Sequence, residues 1–476
     1  MEKSGYWDNT VVDKPRVYFL GGTLVLEGVE RTVRPPTPFR WINAKWRCPA
    51  VHYRTIRPWL KAQGIRNAIP RWRDLSLHLN DDRAPHPYQI EALDTWLASD
   101  RWGSVILPTG AGKTFVALHA ITATSVSTLV VVPTLDLLHQ WYAILENAFQ
   151  LPIGVWYGQE KKLEPLTVTT YPSAYAQAET LGDQFKLIIF DEIHHLPAPS
   201  WHEIALMCAA PYRLGLTATY PERVKAEGGK MNQSSSFTQG VPPSALLEEL
   251  VGPVLYEKRI DDLAGEQLAE YRTLRLRVDL TPAERAAYDT AFATYTGYVR
   301  EARLRESHGH GWWYELTRRS AHDHQARRAK VAELKLKEIV HQAQGKLEVL
   351  DQLLRQHRDQ QMLIFTAHNR FAYQIARRHL IPAITHQTVA AERKAILDGF
   401  RAGLYRAIVT SKVLNEGLDV PEAKIAVVLG GSASAREYIQ RLGRVLRKQG
   451  NTEAILYEVI ARKTVDEGIA QRRRPQ

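Results

Sequence analysis

The run Leu107-Pro108-Thr109-Gly110-Ala111-Gly112-Lys113-Thr114 has the residue types and spacing to hold a nucleoside triphosphate. Gly110 and Gly112 let the backbone curl so that its N–H groups face phosphate oxygens. Lys113 can then reach the β- and γ-phosphates, and the Thr114 hydroxyl can ligate Mg²⁺. The general phosphate-loop pattern has a glycine where Leu107 stands, so the loop needs support from elsewhere in the chain. Asp191 and Glu192 supply it. They close the apolar run Leu187-Ile188-Ile189-Phe190, and carboxylates at the carboxyl end of a strand in an open α/β sheet stand where ligands bind. Asp191 suits the Mg²⁺ shell and Glu192 the polarisation of an attacking water. Upstream of the loop, the Gln89 amide donates and accepts at once, which is the chemistry that reads adenine. Far downstream, Gln440, Arg444 and Arg447 fall at i, i+4 and i+7 on one helical face. Set opposite the loop, those guanidinium groups would neutralise charge on the γ-phosphate. ATP and Mg²⁺ are the ligands this set implies.

Metal chemistry of other kinds finds little footing. His194 and His195 are neighbours in sequence and seldom converge on one ion. His308, His310, His322 and His324 could do so only if the fold joined the pairs. Two cysteines, Cys48 and Cys208, make neither a disulfide framework nor a cysteine-rich zinc site.

The elements that must position the phosphate loop can be read around it. Val105-Ile106-Leu107 reads as a buried strand ending at Pro108, and a helix over Phe115–Ala123 follows, its positive end adding to the anion site. A helix over Ile90–Ala98 leads in. Strand-like runs at Leu129–Val132, Leu166–Val168, Leu187–Phe190 and Arg213–Leu216 alternate with helical patterns, which argues for a parallel sheet covered on both faces. Residues 223–246, rich in Gly, Ser and Gln, read as a flexible surface loop. Leu274–Val278 alternates as a half-buried strand. Runs at Met362–Phe365, Arg406–Val409 and Ile425–Leu429 imply a second sheet of the same class. The expected fold is therefore α/β, with two parallel-sheet domains (79–250 and 251–476) and a small N-terminal α+β domain (1–78).

A helical insertion is expected over 281–345, begun by Thr281-Pro282-Ala283-Glu284. Within it Arg300, Arg303, Arg305, Arg318, Arg319, Arg327, Arg328 and Lys330 surround Gly311-Trp312-Trp313-Tyr314. A phosphate-backbone clamp with an aromatic wedge fits this composition. So does a solvated helical pair with Trp312 and Trp313 in its own core. In the N-terminal domain, Trp41, Trp46, Tyr53 and Trp59 alternate with Arg40, Lys45, Arg47, Arg54 and Arg57. That pattern suits bases and phosphates as well as a small core with a basic solvated face.

Apolar content of 45% and charged content of 24% are those of an ordinary globular protein, and a net charge of +11 favours a polyanionic partner. The sequence shows neither a membrane-length apolar run nor a signal peptide. A reducing cytoplasmic setting, associated with the nucleoid, is the expectation.

Taken in order, these blocks resemble the superfamily-two helicases, which have two RecA-like domains with ATP between them. The motifs are Gln89; Leu107–Thr114; Val132-Pro133-Thr134; Asp191-Glu192-Ile193-His194; Leu216-Thr217-Ala218-Thr219; Ile364-Phe365-Thr366; Leu414–Asp419; and Gln440–Arg447. Their form of the phosphate loop accepts Leu107. The resemblance implies nucleotide contacts from Gly417 and Asp419, and coupling roles for His194, Thr217 and Thr219. Within the superfamily, the phrases Pro211–Thr219, Leu380–His386 and Ser434–Gln440 are similar to the XPB-type helicases, especially the short archaeal kind. Residues 281–345 stand where that family has its thumb, and residues 1–78 where it has a damage-recognition domain. The resemblance implies a DNA-dependent ATPase that opens or translocates on duplex or forked DNA in nucleotide excision repair, with a nuclease partner. An RNA remodeller and a DNA-binding subunit that ATP only switches are the alternative readings. One departure stands out: the family's Arg-Glu-Asp signature is replaced by Tyr220-Pro221-Glu222-Arg223-Val224-Lys225, so ATPase and DNA binding carry over but robust unwinding does not.

Overall fold

Short apolar runs bounded by turn residues become the strands of three sheets. The computed structural model describes residues 15–32, 34–69, 72–198, 200–221, 241–263, 271–308, 312–411, 423–430 and 454–472. The chain divides into two compact units, one of residues 1–108 and 112–259 and the other of residues 109–111 and 260–476.

The first unit begins with a small sheet in the order β3-β4-β2-β1-β5. Its strands are β1 (Arg16–Leu20), β2 (Thr23–Glu27), β3 (Arg40–Ile42), β4 (Lys45–Pro49) and β5 (Arg66–Asn67), with the helix Tyr53–Ala62 alongside. All its pairs are antiparallel except β1 with β5. This is the α+β domain expected at the N-terminus. It packs on the rest of the unit, with Ala209 buried in its core and the Trp72 indole donating to the Asp183 carbonyl at 3.0 Å.

The large sheet of this unit runs β13-β6-β12-β11-β7-β10-β8-β9. Its strands are β6 (Trp102–Ile106), β7 (Thr128–Val132), β8 (Gly154–Tyr157), β9 (Glu160–Lys162), β10 (Leu166–Thr170), β11 (Leu187–Asp191), β12 (Tyr212–Thr217) and β13 (Val254–Glu257). Every pair is parallel except the β8–β9 hairpin. Strands β7, β10 and β11 are buried along their whole length, as befits a sheet covered on both faces.

Two boundaries differ from the sequence reading. Strand β13 pairs with β6, so the first domain continues past residue 250 to Arg259. The end of the expected loop 223–246 is also not loop. Pro243 opens the helix Pro243–Leu250, which buries Leu246, Leu247 and Leu250. The leucine pair drives that burial, and a proline in the first helical turn loses no hydrogen bond. The remainder of that stretch, 222–240, lies outside the described residues.

The second unit holds a wholly parallel sheet in the order β14-β19-β18-β15-β17-β16. Its strands are β14 (Tyr271–Val278), β15 (Met362–Phe365), β16 (Ala383–Ile384), β17 (Ala407–Thr410), β18 (Ile425–Val428) and β19 (Ala454–Ala461). Between β14 and β15 the described residues of 281–345 are helical: Pro282–Glu301, Leu304–His308, Trp312–Arg319 and His324–His341. Thr281 and Glu284 cap the first of these reciprocally. The base and tip of the insertion are built differently. Tyr288, Ala291, Ala332, Leu336 and Val340 share one core with Ile364, Val409 and Val427 of the sheet. Val299, Leu304, Leu316, Ala326 and Ala329 form a separate small core at the tip.

Candidate nucleotide site

Parallel register gathers the chemistry at one sheet edge. Thr217 pairs with Ile106, and Leu216 pairs with both Val105 and Asp191. The ends of β6, β12 and β11 therefore emerge side by side, carrying the phosphate loop, Thr217 and the Asp191–Glu192 pair. This is the ligand edge of an open α/β sheet.

In the loop, Gly110 and Gly112 have φ of 87° and 77°, left-handed backbone that favours glycine. At Gly112 space decides as well, because a Cβ would come within 2.3 Å of Gln89 Nε2. The helix Lys113–Thr124 starts directly after it, with half-buried Thr114 in its first turn. Lys113 Nζ donates to the carbonyls of Leu107 at 3.2 Å and Pro108 at 3.5 Å, so the ammonium lies across the loop. Ala111 is buried, and the Thr109 hydroxyl oxygen is buried without a protein partner.

Gln89 is buried at the start of the helix Pro87–Ala98, and its Oε1 accepts the His86 backbone N–H at 2.9 Å. The carbonyl half of the amide, expected to read adenine, serves the first turn of its own helix. Its amino end packs against Gly112, so Gln89 braces the loop.

Asp191 is buried and Glu192 half-buried. Burial, followed by the Glu192 carboxylate, pushes the Asp191 carboxyl up to about 6 against the opposing pull of the Trp141 indole N–H, the Lys113 ammonium and the Glu192 backbone N–H. The Trp141 indole donates to Asp191 Oδ2 at 2.8 Å, the Glu192 N–H to Oδ1 at 3.0 Å, and the Tyr171 hydroxyl to the Asp191 carbonyl at 3.1 Å. Glu192 itself has φ of 48°, a left-handed conformation uncommon for a non-glycine and concentrated at functional sites. Its carboxylate lies 3.3 Å from His194 Nδ1 and 3.4 Å from Thr217 Oγ1. His194 Nδ1 is 2.9 Å from Thr217 Oγ1, which accepts the Thr219 N–H at 3.1 Å. Glu192, His194, Thr217 and Thr219 thus form one network.

This donor set fits a Mg²⁺-nucleotide. Left-handed glycines open the loop, a lysine crosses it, an unpartnered buried hydroxyl lines it, and the field of Lys113 reaches Asp191. Hard oxygen ligands of the Thr114 and Asp191 kind suit Mg²⁺.

Gly417, Asp419, Gln440, Arg444 and Arg447 lie outside the described residues. The insertion's expected DNA ligands are placed and prove heterogeneous. Arg300, Arg303 and Arg328 are exposed. Arg318 and Arg319 both grip Glu315, whose carboxyl they hold down to about 2. Arg327 donates to the Ser320 and Ala321 carbonyls. Trp312 packs on the tip core beside Tyr295, with Arg305 over its ring. Trp313 and Tyr314 are exposed, and Lys330 stands 4.0 Å from the Trp313 ring centroid. The aromatic triplet is therefore split between core and surface. Neither Trp141 nor Tyr171 stood out in the sequence: Trp141 lies in an apolar helical stripe that reads as core, and Tyr171 opens a short helix with no motif around it.

Fold and site together define a P-loop nucleotide-binding protein with two parallel-sheet units. Residues 83–222 match the family "Type III restriction enzyme, res subunit", and residues 345–449 match "Helicase conserved C-terminal domain". The chain is 40% identical to the DNA 3′-5′ translocase XPB2 of Sulfurisphaera tokodaii, over 81% of this chain and 84% of that protein. It is 30% identical to the DNA 3′-5′ helicase XPB of Mycobacterium tuberculosis, over 81% of this chain and 62% of that one. The crystal structure of the Pyrococcus furiosus Hef helicase domain aligns with a TM-score of 0.48 at 19% identity, covering 81% of this chain and 97% of that one. The chain belongs to the XPB family of DNA helicases and translocases.

Proposed function

We propose that this protein is a DNA-dependent ATPase that translocates on duplex or forked DNA, or opens it, in DNA repair. The observation that supports this best is the shared sheet edge of Lys113, Asp191, Glu192 and Thr217 in a chain 40% identical to a DNA translocase. The phosphate loop from Pro108 to Thr114 binds ATP, and Thr114 and Asp191 would hold Mg²⁺, which when bound supplies positive charge against the phosphates. Lys113 adds a second cation, and Glu192 orients the attacking water and accepts its proton. His194, Thr217 and Thr219 fix the Glu192 carboxylate. Gly417, Asp419, Gln440, Arg444 and Arg447 are the second domain's share of the nucleotide chemistry. The N-terminal domain takes the damage-recognition role, and the exposed Arg300, Arg303 and Arg328 contact the DNA backbone.

A 3′-to-5′ direction is the one to expect from the relatives' names. Work in excision repair calls for a nuclease that cuts what this protein opens, and the net charge of +11 favours residence on the nucleoid. ATP turnover measured in parallel with duplex DNA, single strands and structured RNA tests the reading. Stimulation by DNA but not RNA is expected, and equal or greater stimulation by RNA would overturn it.

A further inference from the structure

We propose that Trp141 is a positioning residue of the nucleotide site, holding the Asp191 carboxylate in the orientation that receives the metal ion. The proposal rests on the Mg²⁺-ATP reading of the site and adds a residue to it.

Trp141 lies on the helix Leu135–Phe149, whose buried stripe is Leu137, Leu138, Trp141 and Leu145. It is 1% exposed, so its indole N–H needs a protein partner. That partner is Asp191 Oδ2 at 2.8 Å, while Oδ1 accepts the Glu192 N–H at 3.0 Å. Each carboxylate oxygen thus has one donor, and each keeps lone-pair capacity for a cation. Rotating the carboxylate about its bond to Cβ would strand the indole N–H in a buried site.

The chemistry of the donor matters as much as its place. An indole only donates, so it cannot turn round and become a competing ligand as a hydroxyl could. It is also neutral. A lysine or arginine in its place would fix the carboxylate but cancel the charge the metal needs, whereas Trp141 orients the anion and leaves its charge intact. Tyr171 restrains the same residue from the main-chain side, donating to the Asp191 carbonyl at 3.1 Å. Such outer partners set ligand orientation, and losing one costs about 10- to 100-fold in metal affinity or activity.

The test is the Mg²⁺ dependence of fluorescent-ADP binding to the full-length protein, read without turnover. Trp141→Phe keeps an aromatic ring and removes the N–H. It should raise the Mg²⁺ concentration for half-maximal enhancement of nucleotide binding by about tenfold, leave affinity in EDTA unchanged, and recover at high Mg²⁺. Trp96→Phe is the control. Trp96 is equally buried and donates to the Arg213 carbonyl at 2.8 Å, so it loses the same group without touching Asp191, and its Mg²⁺ dependence should stay that of the wild type. Should Trp141→Phe fail to fold, Trp141→Met fills the pocket flexibly without an N–H and carries the same expectation. A wild-type Mg²⁺ midpoint in the folded Trp141 variant, or an equal shift in Trp96→Phe, would overturn the proposal. Lys113→Ala separates this from failure of the site itself. If Lys113→Ala binds nucleotide in EDTA as the wild type does, the nucleotide reading fails. If it does not, and Trp141→Phe is silent, only the positioning role fails.

Discussion

Glu192 sits in a left-handed conformation at the end of a strand, held by His194 and Thr217. On the proposed reading, a carboxylate fixed in that way orients the attacking water rather than binding nucleotide. Glu192→Gln should therefore bind ATP like the wild type and lose turnover by about 10²- to 10⁴-fold, the usual contribution of a positioned base. Lys113→Ala should instead weaken nucleotide binding itself. Equilibrium nucleotide binding and steady-state turnover on both variants would check the division. Asp191 adds a pH dependence. Its folded value of about 6 lies above the ordinary carboxylate value of 3.8, so the folded state keeps a proton that the unfolded state has lost. Without metal, this group's contribution to stability falls as pH rises from about 4 to about 6. The same proton competes with Mg²⁺. Turnover at limiting Mg²⁺ should drop as pH falls through 6 and be restored by added Mg²⁺, and a titration at pH 5.5 and 7.5 would show it. The loop, Asp191 and Glu192 were legible in the sequence because their chemistry demands particular types at particular spacings. Trp141 was not, because an indole in an apolar stripe reads as core whichever way its N–H points. The engagement of Gln89 with its own helix start was hidden for a related reason, since an amide near a phosphate loop has several partners within reach.

Among the elements, the insertion carries the most consequence. Glu284 accepts the Thr281 N–H through Oε2 and the Gln344 N–H through Oε1, each at 2.9 Å. One carboxylate thus caps the first helix of the insertion and ties it to the helix that follows the last. Glu284→Ala should cost about 1 kcal/mol or somewhat more, the usual scale of a lost cap, measurable as a lower melting temperature. The capping box announced itself in Thr281-Pro282-Ala283-Glu284; the tie to Gln344 links residues far apart in the chain and left no local trace. Removing the whole insertion would strip Tyr288, Leu336 and Val340 from the core of the second sheet, so a deletion of 281–345 would report unfolding. The informative change removes the tip, residues 299–322, and rejoins Tyr298 to Asp323 by a short Gly-Ser turn, since their side chains already meet at 2.9 Å. This variant should fold and keep basal ATPase. It should also lose DNA affinity and flatten the dependence of binding on salt, because phosphate contacts release counterions. An unchanged salt slope would move the clamp to the N-terminal domain, where Trp41 and Trp46 pack edge to face beside Arg40 and Arg47. Strand β13 and the helix Pro243–Leu250 escaped the sequence reading because the Gly/Ser/Gln-rich composition immediately before them hides where a new element begins.

For the whole molecule, turnover and strand separation are different demands. A net charge of +11 favours holding a polyanion, and movement along it needs hydrolysis coupled to a changing grip. Parting the strands also needs a rigid element driven between bases, at a cost of a few kcal/mol for each step unstacked. The family's Arg-Glu-Asp signature follows the Leu-Thr-Ala-Thr block, and here Tyr220-Pro221-Glu222-Arg223-Val224-Lys225 stands in its place. That run does not reproduce the signature, and the sequence after it is rich in Gly, Ser and Gln. The alternative wedge is the exposed pair Trp313 and Tyr314, Trp312 being committed to the tip core. The expected outcome is DNA-stimulated ATPase with weak unwinding of blunt or simply tailed duplexes by the protein alone. Displacement of a short third strand from a triplex would report translocation, and a gel assay on a long blunt duplex would report opening. Strong displacement with little opening is the expected pattern. Efficient ATP-driven opening of the blunt duplex without partners would refute it. Replacing Trp313 and Tyr314 by alanine would then show whether the tip does the parting, since Lys330 already holds Trp313 in place at 4.0 Å and leaves Tyr314 74% exposed to meet a base.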